Sequence, residues 1–571
     1  MNKIFKVVWS KTKECYVVVS EVAKNNGGKK KVLASVLATL AIMGAGAQMG
    51  TPVQAGGNYG NSAVNIQPDN IPAGSQGNKV STNSVVVGYG NDTQTGANGN
   101  GHIAYGAGNT ATNESSLAVG NSNSATGKST SAIGVGNTAS AEASVALGNA
   151  NTASGDRSIA IGSGAEATQA ETIAVGREAK ATAGQTVAIG RLAKANQQYA
   201  TAMGYNAQAT GSSSLALGRD SSSSGSSSVA VGYTNKAKQN VAVALGVNND
   251  VDGEESTAVG SSNTIATNAN QASVIGRKNK VNRAGSFVGG FSNVTNGERN
   301  VAVGSENTTT GEESIGIGTK VIAGTGKTIA IGGVYNPGGG VEKQTIARGD
   351  DTINPATGQV NNVFALAIGN GAQADGKDNK ASGMIAIGQD VLANNTNAMA
   401  LGIQAKATGR SSMAFGQAAN AAGSGAFALG QSANATSHGS IAMGNGAQST
   451  GSGSTALGRT AKATNDGTVA LGFSAEATGD GAIAIGGDGK GAPFDATNTT
   501  FAGLGEKTTA TAKNAVAIGH QATANIEGGV ALGSESKTTK DAGETGYNPA
   551  TGRTNDYKNL TNNTNAALTS T

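Results

Sequence analysis

Few residues of this chain combine a reactive side chain with a spacing that supports chemistry. The three histidines, His102, His438 and His520, are far apart in the sequence, so they do not predict a metal site. The single cysteine, Cys15, lies in the first 55 residues, which leaves the remainder without a thiol or a disulfide. The Gly-Val-Gly stretch at 134–136 opens no helical segment, unlike a phosphate-binding loop. We therefore expect no enzyme, no metal and no cofactor.

One tripeptide could recognise a partner protein. Arg348-Gly349-Asp350 lies in a segment, 333–364, that interrupts the regular pattern of the chain. On an exposed loop such a tripeptide can dock into an integrin, where the arginine pairs with carboxylates and the aspartate binds a metal ion. The alternative is a solvated loop without a receptor, because so short a motif also occurs by chance.

A strict repeat must position any binding surface of this chain. Glycines recur every 14 residues from Gly106 to Gly260 and again from Gly402 to Gly486. Most of them end the same phrase, as in Ser158-Ile159-Ala160-Ile161-Gly162. A fixed short period predicts a solenoid, in which each repeat contacts only its neighbours. We predict that the repeat glycines form tight corners. Those assigned this role are Gly120, Gly148, Gly162, Gly176, Gly190, Gly218, Gly402, Gly430 and Gly458.

Each repeat is predicted to be one coil of an all-β β-roll or β-solenoid, with a strand, a turn, a short strand and a second turn. Successive side chains of a strand point to opposite faces, so Ile159 and Ile161 share one face. We expect this pair to line the interior, and Ala160 to face outward and allow another chain to approach. About 29 repeat glycines stacked 4.8 Å apart give a rod roughly 140 Å long.

The N-terminal segment is predicted to be an export signal. Residues 29–31 are three lysines, residues 32–43 are mostly apolar, and Val53-Gln54-Ala55 is a small-residue processing site. We expect cleavage between Ala55 and Gly56. Residues 1–55 hold eight lysines and two glutamates, so the remainder has 32 basic and 34 acidic residues and a net charge of −2. That balance predicts no nucleic-acid partner.

Interruptions of the period divide the chain into eight segments. We predict an extended signal peptide, an N-terminal linker or cap, three blocks of repeats separated by two insertions, and a polar tail. The insertions are candidate receptor loops or merely tolerated surface loops. The boundaries, in chain order, are 1–55, 56–83, 84–332, 333–364, 365–486, 487–514, 515–537 and 538–571.

Two parts of the sequence resemble one known family. Residues 1–24 resemble the extended signal peptide region of large Gram-negative autotransporters. The Ser-Val/Ile-Ala-Leu/Ile-Gly phrase, over roughly 84–533, is similar to the YadA-like head repeat of trimeric autotransporter adhesins. The resemblance implies a homotrimer of left-handed parallel β-rolls, Sec export and display on the outer surface. It also implies adhesion to host cells, to extracellular matrix proteins or to other bacterial cells.

The polar tail departs from this family pattern. Residues 538–571 show neither the heptads of a stalk nor the alternating strands of a membrane anchor. We therefore expect that the sequence is a fragment, or a truncated reading frame that lost both parts. Two other functions stay open. One is a self-associating rod for autoaggregation and biofilm, and the other is an enzyme on a β-helix, which would need an acidic and basic cluster that we do not find.

Overall fold

Each 14-residue repeat folds as one coil with two strands. In the coil 144–157, strand Val145–Asn149 leads through a corner into the two-residue strand Thr152–Ala153, and a second corner leads to the next coil. Val145–Asn149 pairs in parallel with Ile159–Ser163, with Ala146 opposite Ala160. The computed structural model describes residues 5–10, 15–20, 63–67, 76–81, 83–94, 101–338, 340–349, 364–376, 380–487, 507–538, 546–548 and 553–555.

The coils stack into two parallel sheets and confirm the prediction of an all-β parallel β-solenoid. The first, the long-strand sheet, consists of Val64–Ile66, Val85–Tyr89, Ile103–Ala107, Leu117–Asn121, Ser131–Val135, Val145–Asn149, Ile159–Ser163, Ile173–Arg177, Val187–Ile189, Thr201–Met203, Leu215–Leu217, Val229–Tyr233, Val243–Val247, Thr257–Ser261, Ser273–Arg277, Phe287–Phe291, Val301–Ser305, Ile315–Thr319, Thr328–Gly332, Ala365–Ile368, Met384–Ile387, Met399–Leu401, Met413–Phe415, Phe427–Leu429, Ile441–Met443, Thr455–Leu457, Val469–Leu471, Ile483–Ile485, Val516–Ile518 and Val530–Leu532.

The second, the short-strand sheet, consists of Thr110–Ala111, Ser124–Ala125, Thr138–Ala139, Thr152–Ala153, Glu166–Ala167, Lys180–Ala181, Lys194–Ala195, Gln208–Ala209, Ser222–Ser223, Lys236–Ala237, Asp250–Val251, Thr264–Ile265, Lys280–Val281, Val294–Thr295, Thr308–Thr309, Ile322–Ala323, Ile346–Arg348, Gln373–Asp375, Leu392–Ala393, Lys406–Ala407, Asn420–Ala421, Asn434–Ala435, Gln448–Ser449, Lys462–Ala463, Glu476–Ala477, Thr509–Ala510 and Thr523–Ala524. Two antiparallel pairs stand apart from these sheets: Phe5–Ser10 with Cys15–Ser20, and Gly546–Asn548 with Arg553–Asn555.

The interior of the solenoid is lined by alanine, so the expected orientation of the long strands was wrong. Ala160 is completely buried, whereas Ile159 and Ile161 on either side of it are only half-buried and face outward. The short strand contributes a second buried alanine, such as Ala167. Alternation along the strand was predicted correctly, but the wrong face was assigned to the core.

Lack of space explains the alanine interior. Gly316 takes the inward place that alanine holds in most long strands, and a Cβ built there would lie 3.9 Å from the Cβ of Ala323. The same Cβ would lie 2.9 Å from the Cγ2 of Thr309. Methyl groups from the two sheets thus meet at or inside van der Waals distance, so most coils hold alanine on both strands. Larger inward residues are confined to a few coils, as at Val251, Ile265, Val274, Val281 and Val288. Elsewhere the larger aliphatic residues face outward.

The repeat glycines occupy corners that other residues would strain. The nine glycines predicted for this role have φ between 119° and 141°. At Gly162, φ is 141° and an added Cβ would lie 2.3 Å from the carbonyl oxygen of Gly176 in the next coil. The corner therefore requires glycine both for its backbone angle and for the close stacking of coils.

The solenoid continues through both segments predicted to be insertions. Within 333–364, strand Ile346–Arg348 pairs with Ile322–Ala323 on one side and with Gln373–Asp375 on the other. Within 487–514, Thr509–Ala510 pairs with Glu476–Ala477. Each segment therefore contributes a strand to the short-strand sheet. Residues 350–363 and 488–506 lie outside the described residues.

Candidate functional site

A stripe of aliphatic side chains follows the outward face of the long-strand sheet. We call it the aliphatic stripe and define it as the two outward residues that flank each inward alanine, such as Ile159 and Ile161. Leu147 and Leu457, in distant coils, are 40% and 44% exposed. Phe415 and Phe427 meet on the stripe at right angles, with ring centroids 5.9 Å apart. A sheet whose outward face is apolar along a rod offers a surface to another protein chain.

Charged side chains on other corners form pairs between successive coils. Arg157 donates to Glu171 of the next coil at 2.7 Å, and Gln185 of the coil after that donates to the same carboxylate at 3.0 Å. The hydrogen bonds from Gln185 and from Arg157 hold the pKa of Glu171 below its ordinary value. The pKa of Glu313 is lowered in the same way, by Lys327 first and by Arg299. These pairs are exposed and lend little stability, but they show that coils stack with side chains in register.

Arginine and tyrosine alternate at a third place on the surface. The residue after the repeat glycine is Arg191, Tyr205, Arg219 and Tyr233 in four successive coils, and Arg177 precedes them. The Arg191 guanidinium lies 5.5 Å from the Tyr205 ring centroid, and Arg219 lies 5.7 Å from Tyr205 and 5.4 Å from Tyr233. We call these five residues the arginine–tyrosine ridge. They follow one edge of the long-strand sheet.

The predicted tripeptide is only partly described. Arg348 ends a strand of the short-strand sheet, and its guanidinium donates to both carboxylate oxygens of Asp375, at 2.9 and 2.5 Å. Gly349 is buried, and Asp350 lies outside the described residues. Arg348 is therefore held by the neighbouring coil rather than carried on a free loop. The integrin hypothesis remains a prediction, and it would require this ion pair to open.

The other predicted site is the signal-cleavage pair. Ala55 and Gly56 lie outside the described residues, so the structure does not test this prediction. Over the part of the chain that the structure describes, no group of His, Cys, Asp and Glu is arranged to hold a metal ion. His102 is buried, with its Nδ1 3.2 Å from Ser116 Oγ. In the same residues there is no helix of the length and apolarity that crossing a membrane requires.

Sequence reasoning missed two features that the repeat period could have revealed. One is the arginine–tyrosine ridge, which appears when the residues after successive repeat glycines are read as a column. The other is a column of buried asparagines three residues after the glycine, such as Asn123, Asn137 and Asn151. Both follow from reading equivalent positions across coils, because stacking in register places those positions in contact.

Two family models match this chain. The extended signal peptide of the type V secretion system matches residues 1–48. The YadA head domain repeat matches in overlapping copies that together cover 125–263, 393–488 and 510–536. A search of curated proteins found no match.

The two matches and the fold agree. The matched head repeats coincide with the stacked coils, and the extended signal peptide indicates Sec export. Export of a rod built from such repeats is typical of surface adhesins. The chain belongs to the trimeric autotransporter adhesins.

Proposed function

We propose that this chain is the head of a bacterial surface adhesin that attaches to host cells or to extracellular matrix. The observation that carries the proposal is the extended outward surface of a solenoid made of adhesin head repeats. Among the described residues no metal cluster interrupts that surface. Binding would then involve an extended surface with many repeated contacts, and several copies acting together would raise the avidity.

We further propose that three copies pack side by side through the aliphatic stripe. The stripe is about 7 Å wide, the distance between alternate residues of a strand, and roughly 140 Å long, so it presents on the order of 1,000 Å². Soluble monomers rarely expose so large a continuous apolar surface. Alanine inside and aliphatic residues outside fit a solenoid that is completed by its neighbours.

The assembly can be tested on residues 56–537 fused to a trimerising coiled coil that a protease can remove. We expect light scattering after cleavage to give three times the chain mass, with a β-rich circular dichroism spectrum. Replacing Ile161 and Val175 with lysine should yield β-rich monomers, because charges would enter the contact. The matched control, Thr138 and Thr152 to lysine on the short-strand sheet, should stay trimeric. A β-rich monomer from the unchanged sequence would contradict the trimer.

Attachment is tested with the same trimer on surfaces coated with matrix proteins and on host cells. We expect binding to matrix or to host cells, and deletion of residues 350–363 should reduce it if that segment contacts the receptor. Beads carrying the trimer that bind neither surface but aggregate with one another would instead support the self-associating rod.

A further inference from the structure

We propose that the arginine–tyrosine ridge binds a linear acidic polysaccharide through its sulfate or carboxylate groups. The inference rests on the proposed adhesin function and names a ligand class for one surface of it. The ridge comprises Arg177, Arg191, Tyr205, Arg219 and Tyr233.

The ridge is a local centre of positive charge in a chain that is otherwise nearly neutral. Residues 177–238 contain seven lysines and arginines against two acidic residues, a net charge of +5. Lys180, Lys194 and Lys236 lie beside the ridge, on the outward face of the short-strand sheet. Arg177, Arg219 and Lys180 pair with Glu178, Asp220 and Glu166, whereas among the described residues no carboxylate forms an ion pair with Arg191 or Lys194. The excess of cations over carboxylates along this edge favours a polyanion.

The stacking of arginine on tyrosine limits which ligands the ridge can bind. Tyr205 is contacted by guanidinium groups from both neighbouring coils, Arg191 and Arg219, so its two ring faces are occupied. Proteins that bind single-stranded nucleic acid use open aromatic faces on which bases stack. This ridge instead offers ring edges, phenol hydroxyls and guanidinium groups. Those groups suit the hydroxyls and anionic substituents of a sugar polymer.

The spacing of the ridge also fits a repeating ligand. Coils stack about 4.8 Å apart, so Arg191 and Arg219, two coils apart, are separated by about 9.6 Å. That distance is comparable to the repeat of a polysaccharide built from disaccharides. Arg219 lies between Tyr205 and Tyr233, and Arg191 stacks on Tyr205, so both guanidinium groups are held in place. Their planar donors can bind sulfate or carboxylate in a bidentate manner. Exposure of Tyr205 (41%) and Tyr233 (44%) leaves the ridge open to such a chain.

The alanine-rich part of the solenoid provides a natural comparison at the same position. In three successive coils there, the residue after the repeat glycine is Gln417, Gln431 and Asn445, and these amides bond to one another from coil to coil. Arg459 and Phe473 follow at the same position and stack, with the guanidinium 5.8 Å from the ring centroid. Position in the coil is therefore not what makes the ridge cationic. In those three coils the column is neutral and self-paired, where the ridge is charged and aromatic.

The test measures binding of the full chain to immobilised heparin, with hyaluronan as the carboxylate-only ligand and dextran as the uncharged one. The double variant Arg191→Gln and Arg219→Gln should bind heparin about tenfold more weakly. The control double variant Arg157→Gln and Arg299→Gln removes the same charge at another corner and should change binding less than about twofold. Binding to hyaluronan as well as heparin indicates a carboxylate site, and binding to heparin alone a sulfate site; either supports the proposal.

Four results would overturn it. Equal losses in the ridge and control variants would mean general charge attraction. Competition by single-stranded poly(dT) as effective as by heparin, abolished in Tyr205→Leu, would mean a nucleic-acid surface. A changed mass by light scattering in the ridge variant would make the ridge a contact between copies. Retained attachment of that variant to matrix, with heparin binding unchanged, would refute the ridge while leaving the adhesin function intact.

Discussion

The solenoid closes the same corner with different chemistry in two regions. In the asparagine region, which includes residues 109–151 and 235–307, the residue three after the repeat glycine is a buried asparagine. In the alanine region, 405–475, the same position is alanine. Asn137 places its amide nitrogen 2.9 Å from Asn123 Oδ1, 3.0 Å from the Ile133 oxygen and 2.7 Å from the Gly148 oxygen. Its own oxygen accepts from the Asn151 backbone at 3.1 Å.

The alanine region satisfies the same backbone groups within one coil. The Ala433 backbone nitrogen donates to the Gly430 oxygen at 3.3 Å, and Ala447 donates to Gly444 at the same distance. The asparagine side chain thus replaces a long hydrogen bond inside a coil with shorter ones between coils. The comparison teaches that the backbone tolerates two hydrogen-bonding schemes at one corner. At this corner, side chains connect successive coils in the asparagine region and do not in the alanine region.

The largest effect is expected from Asn137→Asp. The aspartate side chain has the same shape but no N–H donor, so its carboxylate would face three acceptor oxygens. We expect this to lower the free energy of unfolding by about 3 kcal/mol or more. Burial would raise the pKa of the new carboxyl. The penalty would be absent below the unfolded pKa of about 4 and would grow as pH rises to the folded pKa. Hydrogen exchange of residues 131–163 against pH measures it.

The control for that variant lies in the adjacent coil. Asn149 is exposed, so Asn149→Asp introduces the same charge without burial. We expect near-normal protection from exchange at all pH values. Equal destabilisation by the two variants would contradict the role given to the buried column.

A smaller effect is expected from Asn137→Ala. The Asn151 nitrogen and the Gly148 oxygen lose their side-chain partners, but they can bond to each other as Ala433 and Gly430 do. The net cost should be about 1 to 2 kcal/mol and confined to adjacent coils. Faster exchange of the Asn151 amide, with distant coils unchanged, checks it. A loss as large as that of the aspartate variant would mean that the corner cannot switch schemes.

The reverse change, Ala433→Asn, should alter stability by less than about 1 kcal/mol. The new amide can reach the Leu429 and Gly444 oxygens, as asparagines do in the other region. Its oxygen can accept from the Ala447 nitrogen. We expect slower exchange of the Ala447 amide. Unfolding of the neighbouring coils would show that alanine is required there for space.

The smallest effect concerns a surface pair, which lies away from the corner that distinguishes the two regions. Glu171 accepts from Gln185 and from Arg157 in the neighbouring coils. Because its pKa is lowered, Glu171 contributes stability above the unfolded value of 4.5 that is lost as pH falls through the lower folded value. Exchange around 157–185 should quicken slightly in acid. Glu171→Gln should remove that dependence, and an unchanged acid response would contradict it.

Much of the fold could be predicted because the sequence repeats with a fixed period. Glycines every 14 residues predicted the coils, and the alternation of large aliphatic residues with Ala160 predicted a strand. The core face could not be predicted from apolarity, because the two sheets lie so close that most coils place alanine between them and leave residues such as Ile159 and Ile161 outside. Hydrophobicity favours burial, but the distance between two facing sheets decides which side chains fit.

The candidate surfaces were less accessible to prediction. Arg348 was noticed as part of a short motif, yet its bond to Asp375 depends on a strand that the broken period concealed. The arginine–tyrosine ridge depends on contacts between residues 14 apart, which no single repeat displays. Comparing equivalent positions in successive coils, rather than the residues within one repeat, would have revealed the ridge.

The central claim is that alanine faces inward and the aliphatic residues face outward toward another copy. Residues 56–571 contain no cysteine, so a single introduced thiol reports on its own position. We predict that Ile161→Cys forms disulfides between chains under mild oxidation, whereas Ala160→Cys stays unreactive until the protein unfolds. Rapid modification of Ala160→Cys in the folded protein, with Ile161→Cys inert and uncrosslinked, would contradict the account.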